Sequence, residues 1–131
     1  MSWLAKTCHS LFFAVFLVLT AALPAQAGGG GGASGPEPLR FTVNLGKTKY
    51  LQVEMVLVGA SPAIDQQLAA LRPRVQHQII LLLTEQQPDR LFSREGKHVL
   101  IADIIDTVNR IIDENEKTGV HEVLFTSFII Q

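Results

Sequence analysis

Histidine and carboxylate side chains are the first candidates for chemistry in this sequence of 131 residues. His77, His98 and His121 are far apart and do not show the short spacing that the protein ligands of a metal ion share. This spacing favours ordinary histidines, exposed or partly buried. We therefore predict no metal site.

Asp103 and Asp106 are three residues apart in a segment with helical periodicity, so their carboxylates could form a pair for acid–base catalysis. Arg110 follows Asp106 by four residues, in the orientation that favours an ion pair on a helix surface. This arrangement favours a solvated, charged helix face over a catalytic pair.

The other side chains with catalytic potential lack the context that catalysis requires. No serine lies in a nucleophile-elbow motif, and the only cysteine, Cys8, lies in an N-terminal apolar segment. Tyr50 is the only tyrosine, and its plain interpretation is an aromatic residue on a strand. The sequence thus predicts a protein that is not an enzyme, with no catalytic, cofactor-binding or metal-binding residue and no cofactor.

Composition narrows the class of partner. Hydrophobic residues make up 47% of the chain, which is enough for a globular core, and the formal net charge is −1 at pH 7. Lysine and arginine are scattered singly, without the basic stripe that holds nucleic-acid phosphates. We expect no nucleic-acid partner.

Residues 1–27 show the features of an export signal. Lys6 is followed by an apolar stretch over residues 11–23 and then by Ala25 and Ala27, the small residues of a cleavage site. As a helix this stretch would be about 20 Å long, shorter than the roughly 30 Å hydrocarbon core of a membrane. We favour a cleaved signal peptide over a retained short membrane anchor, and both alternatives predict an exported domain.

Residues 28–38, with the sequence GGGGGASGPEP, contain no large apolar side chain and predict a flexible linker. A glycine-rich phosphate loop would need a strand before it and a helix with Lys and Ser or Thr after it, and the sequence has neither here. The folded domain is therefore predicted over residues 39–131.

Alternating apolar residues predict strands in the folded domain. Residues 40–45 and 50–58 alternate around a glycine-containing turn, which predicts an antiparallel hairpin. Residues 120–131 carry apolar side chains in both alternating sets, so we expect both faces of the sheet to be covered. Phe125 and Phe128, three residues apart on this strand, are expected on opposite faces.

Helical periodicity begins after the hairpin. Ser61 followed by Pro62 predicts a helix start at which the serine hydroxyl caps free amides. Pro73 lies within the periodicity, where it either kinks one long helix or begins a second one. Residues 79–83 are apolar on all sides, which predicts that this end of the helix is the more deeply buried one.

A further helix precedes the last strand. Residues 86–92 are interpreted as a connection, Ser93 as the cap of a helix over residues 94–116, and Gly119 as its end. The resulting order is β-β-α-α-β. This pattern predicts a small α+β domain whose helices pack on a three-stranded sheet.

Four segments give the domain a family resemblance: NLGKTKYLQVEMVLV (residues 44–58), LRPRVQHQIILLL (71–83), EGKHVLIADIIDTVN (95–109) and VLFTSFIIQ (123–131). Their order and spacing resemble those of the flagellar basal-body-associated protein FliL family. The terminal F-x-x-F-x-I-Q and the E-G-K with an Asn about a dozen residues later are the most distinctive elements. The resemblance covers nearly all of residues 39–131.

The resemblance implies a non-enzymatic motor accessory protein at the inner membrane, with its folded domain in the periplasm. The implied partners are flagellar stator proteins and other copies of the chain in a ring-like homo-oligomer. The implied roles are flagellar rotation, cell motility and chemotaxis, and the implied fold is similar to the stomatin-type (SPFH) domain. A soluble periplasmic binding or scaffold paralogue that is not tied to the flagellum is the alternative hypothesis, favoured by the cleavable leader.

The sequence offers few clues to the surface that meets a partner. We expect polar positions on the predicted helix over residues 94–116, namely Asp103, Asp106 and Arg110, to form partner or protomer contacts. The edge of the predicted hairpin, marked by Tyr50, is the other expected contact.

Overall fold

The computed structural model describes residues 35–131. The predicted leader, residues 1–27, and residues 28–34 of the predicted linker lie outside the described residues. From residue 35 onward, three strands and four helices follow one another: β1 (Leu39–Leu45), β2 (Lys49–Gly59), α1 (Pro62–Ala70), α2 (Arg72–Thr84), α3 (Pro88–Phe92), α4 (Arg94–Ile112) and β3 (Val120–Ile130). None of these helices combines the length and the apolar character that a membrane span requires.

The strands form one antiparallel sheet in the order β1-β2-β3. β1 and β2 form the predicted hairpin, in which Phe41 pairs with Val53 and Val43 pairs with Leu51. Gly46 takes a positive φ of 66° in the turn, a conformation that glycine adopts without a Cβ clash. Because β3 adds to the other side of β2, the middle strand of the sheet is β2. The predicted α+β class, with helices on a three-stranded sheet, is confirmed.

The helices cover one face of the sheet, which we call the inner face. α2 lies over β1, α4 lies over β3, and the two helices pack against each other. The strand residues that form the core of this layer are at most 6% exposed. The strand residues of this core are Leu39, Phe41, Val43, Leu45, Leu51, Val53, Met55, Leu57, Val120 and Val123, and its helix residues are Ile64, Val75, Ile79, Leu83, Leu91, Leu100, Ile104, Val108 and Ile112.

The starts of α1 and α2 test the predictions made for Ser61 and Pro73. Ser61 precedes α1 and Pro62 is its first residue, but the serine hydroxyl makes no capping hydrogen bond. The helical conformation is interrupted at Leu71, between α1 and α2, and Pro73 lies in the first turn of α2. The structure therefore selects the second alternative for this proline. Near a helix start a proline costs no hydrogen bond, because that amide has no intrahelical acceptor.

The apolar end of α2 is buried on one side only. Ile79 and Leu83 lie in the core, whereas Ile80 and Leu81 are 41% and 45% exposed. Within residues 35–131, α2 contacts α1, β1 and α4, and no element lies against its remaining side. Two of the three buried residues of α2, Ile79 and Leu83, lie at this end, so it is the more deeply buried end, as predicted.

The region around α4 also differs from the prediction. Residues 88–92 form the short helix α3 and not an irregular connection. Ser93 caps α4 as predicted, because its Oγ accepts a hydrogen bond of 2.9 Å from the amide of Gly96. α4 ends at Ile112, earlier than the predicted residue 116, since Asp113 takes the left-handed conformation with φ of 57°. Gly119 does not end the helix but directly precedes β3.

A bulge in β3 changes which side chains reach the core. Thr126 has no partner in β2, and this extra residue shifts the alternation of the strand by one. Phe125 and Phe128 therefore both lie opposite inner-face residues of β2, Met55 and Val53. Their ring centroids are 5.1 Å apart in an edge-to-face arrangement. The prediction that these rings lie on opposite faces is wrong.

The other side of the sheet, which we call the outer face, has no helix over it among the residues that the structure describes. Leu124 and Ile129 point to this side and are 45% and 41% exposed. Leu124 pairs with Val56, and Ile129 pairs with Gln52. The expectation that both faces are covered does not hold within residues 35–131.

Candidate partner-binding surfaces

The predicted contact residues of α4 lie on its solvent side. Arg110 Nη2 is 2.9 Å from Asp106 Oδ2, and the two side chains are 72% and 70% exposed. Asp103 is half-buried one turn earlier. An exposed ion pair of this kind stabilises a helix by only a few tenths of a kcal/mol. These charges are therefore available to a partner at little cost to the fold.

Tyr50 lies on a different surface. Its side chain is 58% exposed, and as an even-numbered residue of β2 it points to the outer face, opposite the buried Leu51. Its backbone pairs with Gln131 through two hydrogen bonds of 2.8 and 3.0 Å. Since α4 lies over the inner face, the structure does not bring Tyr50 together with the α4 residues. The four predicted residues thus mark two separate surfaces.

A groove runs along the exposed flank of α4, and we call it the α4 groove. Its volume is about 460 Å³. Carboxylates of Asp106, Glu114 and Glu116 line it together with the half-buried Ile101 and Ile105. The remaining lining residues are His98, Ala102, Asn109, Arg110 and Asn115. The groove therefore combines an apolar floor with a mostly acidic rim.

Asn109 holds the start of β3 beside α4. It is 5% exposed, donates a hydrogen bond of 2.9 Å from Nδ2 to the Val120 carbonyl, and accepts one of 2.8 Å at Oδ1 from the Val120 amide. A Cβ at Gly119 would lie 2.3 Å from Asn109 Oδ1, so this approach requires glycine there. Asn109 belongs to the segment EGKHVLIADIIDTVN (95–109) of the family resemblance, but the sequence assigns it no role. Its position within the predicted amphipathic helix over residues 94–116, between Val108 and Arg110, gives no sign of burial.

Two lysines lie over aromatic rings near the hairpin end of the sheet. Lys97 Nζ is 5.2 Å from the ring centroid of Phe128, and Lys49 Nζ is 6.0 Å from that of Phe92, which is 58% exposed. Both distances are within the range of cation–π attraction. Sequence reasoning did not find these pairs, because each joins residues that are far apart in the chain.

The described part of the linker touches the domain. Glu37 forms an ion pair with Arg72 at the start of α2. Both residues border a cavity of about 90 Å³, which Leu57, Leu68 and Val75 also line. The sequence of residues 28–38 predicts a flexible linker without chemistry of its own. The ion pair shows that its last residues lie against the folded domain.

No cluster in the described range has the composition of a metal site. Residues 35–131 contain no group of three or more His, Cys, Asp or Glu side chains that could hold a metal ion. The features that the structure offers are therefore surfaces: the α4 groove, the outer face and the lysine–aromatic pairs.

The described domain is similar to a known protein family. Residues 37–131 match the family described as flagellar basal body-associated protein FliL. The Flagellar protein FliL of Escherichia coli (strain K12) is 33% identical over 93 residues, and that of Aquifex aeolicus (strain VF5) is 28% identical over 94 residues. Each match covers 70% of this chain, and they cover 60% and 56% of the relatives, respectively. The chain thus spans less than two thirds of the length of these relatives.

Proposed function

Because the chain belongs to the FliL family of flagellar basal body-associated proteins, we propose that it is a non-enzymatic accessory protein of the flagellar basal body. In this role it supports the stator and flagellum-dependent motility. The observation that carries the proposal is the family match over residues 37–131, which includes every described strand and helix.

The proposed partners are flagellar stator proteins and other copies of the chain. The folded domain acts in the periplasm, at the inner membrane, and residues 1–27 either direct export and are cleaved or remain as a short anchor. The described surface supports a binding role in one respect. Exposed apolar side chains of the outer face, Leu124 and Ile129, lie beside polar residues, a composition that suits protein contacts.

Deletion of the gene tests the proposed function. We expect reduced swimming or swarming, most strongly under high load, and restoration by the wild-type gene supplied in trans. Flagella should be counted in the same cells, because a loss of filaments would separate an assembly defect from a defect in stator function. Unchanged motility under high load, in a strain whose parent expresses the protein, would overturn the proposal and favour the periplasmic scaffold paralogue.

The N-terminal sequence of the exported protein tests the location. A start at Gly28 shows cleavage of the leader and a domain free in the periplasm, whereas an intact leader shows an anchored domain. Membrane and periplasmic fractions of the same cells provide the control. Recovery of the whole chain from the cytoplasm would contradict export by either route.

Charge reversal tests the predicted contacts of α4. We expect Asp106→Lys to reduce self-assembly or stator binding, because the exposed carboxylate would be replaced by a cation beside Arg110. Tyr50→Ala makes the matched change on the outer face. Sedimentation of the purified chain and co-purification with stator proteins measure the two effects. If both variants assemble and bind like the wild type, Asp106 and Tyr50 are not contact residues.

A further inference from the structure

β3 is an edge strand with a long free side. In the sheet that residues 35–131 form, β2 is its single strand neighbour. The backbone groups of alternate β3 residues therefore point away from β2, without a strand to receive them. The strand runs for 11 residues and contains neither Lys nor Pro, two residues that commonly protect sheet edges. The register with β2 shifts at His121 and again at Thr126, so residues 122–125 form the regular stretch between the two shifts.

The α4 groove lies beside this free edge. α2 lies over β1 and α4 over β3, so the side of α4 that faces away from α2 is the side of the free edge. Thr107 and Ile111 line a second groove, shared with α2, and Arg110 borders both grooves. Ile101 and Ile105 lie on the opposite flank and line the α4 groove. An extended segment paired with β3 would therefore have this flank next to it.

Asn109 already makes the first contact of such a pairing. Its carboxamide donates to the carbonyl of Val120 and accepts from the amide of the same residue. These are the two hydrogen bonds that one residue of a neighbouring antiparallel strand would form. Among the described residues, Asn109 is the one side chain that hydrogen-bonds the backbone of β3, and it does so at Val120 alone.

The composition of the α4 groove defines the segment that fits it. Ile101 and Ile105 provide an apolar floor towards the N-terminal half of α4, whereas Glu114 and Glu116 lie at the other end. Within residues 35–131 neither of these glutamates forms an ion pair. Alternate side chains of a strand share one face. A matching strand therefore carries apolar side chains and one basic side chain on the same face, with the basic one near Val120.

We infer that the edge of β3 and the α4 groove together form a docking site for an extended segment of a partner protein, which adds to the sheet as a fourth strand. Backbone hydrogen bonds supply the general affinity, and the apolar floor with its acidic end selects a segment that carries apolar side chains and a basic one. The chain's own linker is a poor occupant, because residues 28–38 contain no basic side chain and no large apolar one. The inference stands on the fold alone and does not depend on the flagellar assignment.

Two short peptides test the site in the full chain. Ac-TVTVTK-NH2 places two Val and the Lys on one face for antiparallel pairing, and Ac-KTVTVT-NH2 does so for parallel pairing. We expect one of them to shift the amide resonances of residues 120–125 and the methyl resonances of Ile101 and Ile105. Replacing the Lys of that peptide with Glu should weaken binding, because the acidic end of the groove would then repel it.

Backbone methylation of the peptide distinguishes strand addition from loose attraction. Methyl groups on one alternating set of amides face β3 and should abolish binding, whereas methyl groups on the other set face away and should leave it intact. Glu114→Gln and Glu116→Gln should each weaken binding about two- to fivefold, as expected for exposed charge pairs. Glu85→Gln, in the other groove beside α4, should leave the affinity unchanged.

Several results would overturn the inference. These are the absence of shifts at residues 120–125 with both peptides at millimolar concentration, equal binding of the two methylated forms, and unchanged affinity in the Gln variants. Sedimentation of the chain without peptide provides a further check. A dimer whose β3 amides are protected from hydrogen exchange would show that a second copy occupies the edge. None of these results would affect the proposed role in motility, which the gene deletion tests separately.

Discussion

The inner and outer faces of the sheet are built from the same three strands but differ in what covers them. On the inner face the strand core residues are at most 6% exposed and lie beneath α2 and α4. On the outer face Leu124 and Ile129 are 45% and 41% exposed, and they lie among polar side chains. The difference shows that the fold is stabilised from one side of the sheet. Within residues 35–131, no helix lies over the other side, and its apolar side chains are accessible to other molecules.

The largest effect on the free energy of unfolding is expected when a core side chain beneath the inner face is shortened. Ile104→Ala, in α4 at 0% exposure, should lower the free energy of unfolding by about 2–5 kcal/mol, because it leaves a cavity against the sheet. Leu124→Ala on the outer face is the matched control, and its effect should stay below about 1 kcal/mol. Denaturant titration measures both. Equal losses in the two variants would mean that another element covers the outer face.

The next largest effect is expected at the junction of α4 and β3. Asn109→Ala should cost about 2–3 kcal/mol, because the Val120 amide and carbonyl would lose their partners in a buried site. Asn44→Ala, an exposed change on the outer face, is the control and should cost little. Hydrogen exchange of the Val120 amide reports the junction directly. Unaltered protection of this amide in the Ala variant would contradict the role given to Asn109.

A smaller effect is expected at the lysine–aromatic pair on the inner side. Lys97→Met keeps the aliphatic part of the side chain but removes the ammonium group over Phe128. We expect a loss of about 0.5–1 kcal/mol, the range for a cation–π contact at an exposed site. Lys47→Met in the hairpin turn is the matched control. If the two variants unfold at the same denaturant concentration, the contact of Lys97 with Phe128 does not contribute to stability.

The smallest effect is expected for an ion pair on the outer side. Arg40 Nε is 2.6 Å from Glu54 Oε2, and the arginine side chain is 77% exposed. Arg40→Met should change stability by less than about 1 kcal/mol, and the difference should disappear in 1 M salt, where surface charges are screened. Unfolding at low and high salt measures this. A large difference that persists in high salt would show that the pair is covered by a neighbour.

The sequence predicted those features that depend on local pattern. Alternation located β1 and β2, because their buried residues repeat every second position, and Ser93 was correctly predicted to cap α4. Pro73 was left with two alternatives, since its ring fits either a kinked helix or a helix start. The choice between these two depends on how α2 packs against its neighbours. The pattern of residue types in the sequence does not contain this information.

The features that the sequence did not predict arise from long-range packing. The bulge at Thr126 depends on the register with β2, so the common side of Phe125 and Phe128 was missed. The exposure of Ile80 follows from the absence of a neighbouring element on that side of α2 within the described range. The groove beside α4 and the contact of Asn109 with Val120 likewise join a helix to a strand. Residue types alone do not specify such contacts.

The pairing of β2 with β3 has a consequence for how fast the domain folds. Thr126 Oγ1 lies 3.3 Å from the carbonyl of Glu54, and these residues are 72 positions apart. Closing so long a loop loses chain entropy before the central strand gains its second neighbour, which raises the kinetic barrier. We therefore expect the domain to fold more slowly than a helical bundle of equal length. Until that closure, the apolar residues of β2 remain accessible, and chaperones have an interval in which to bind them.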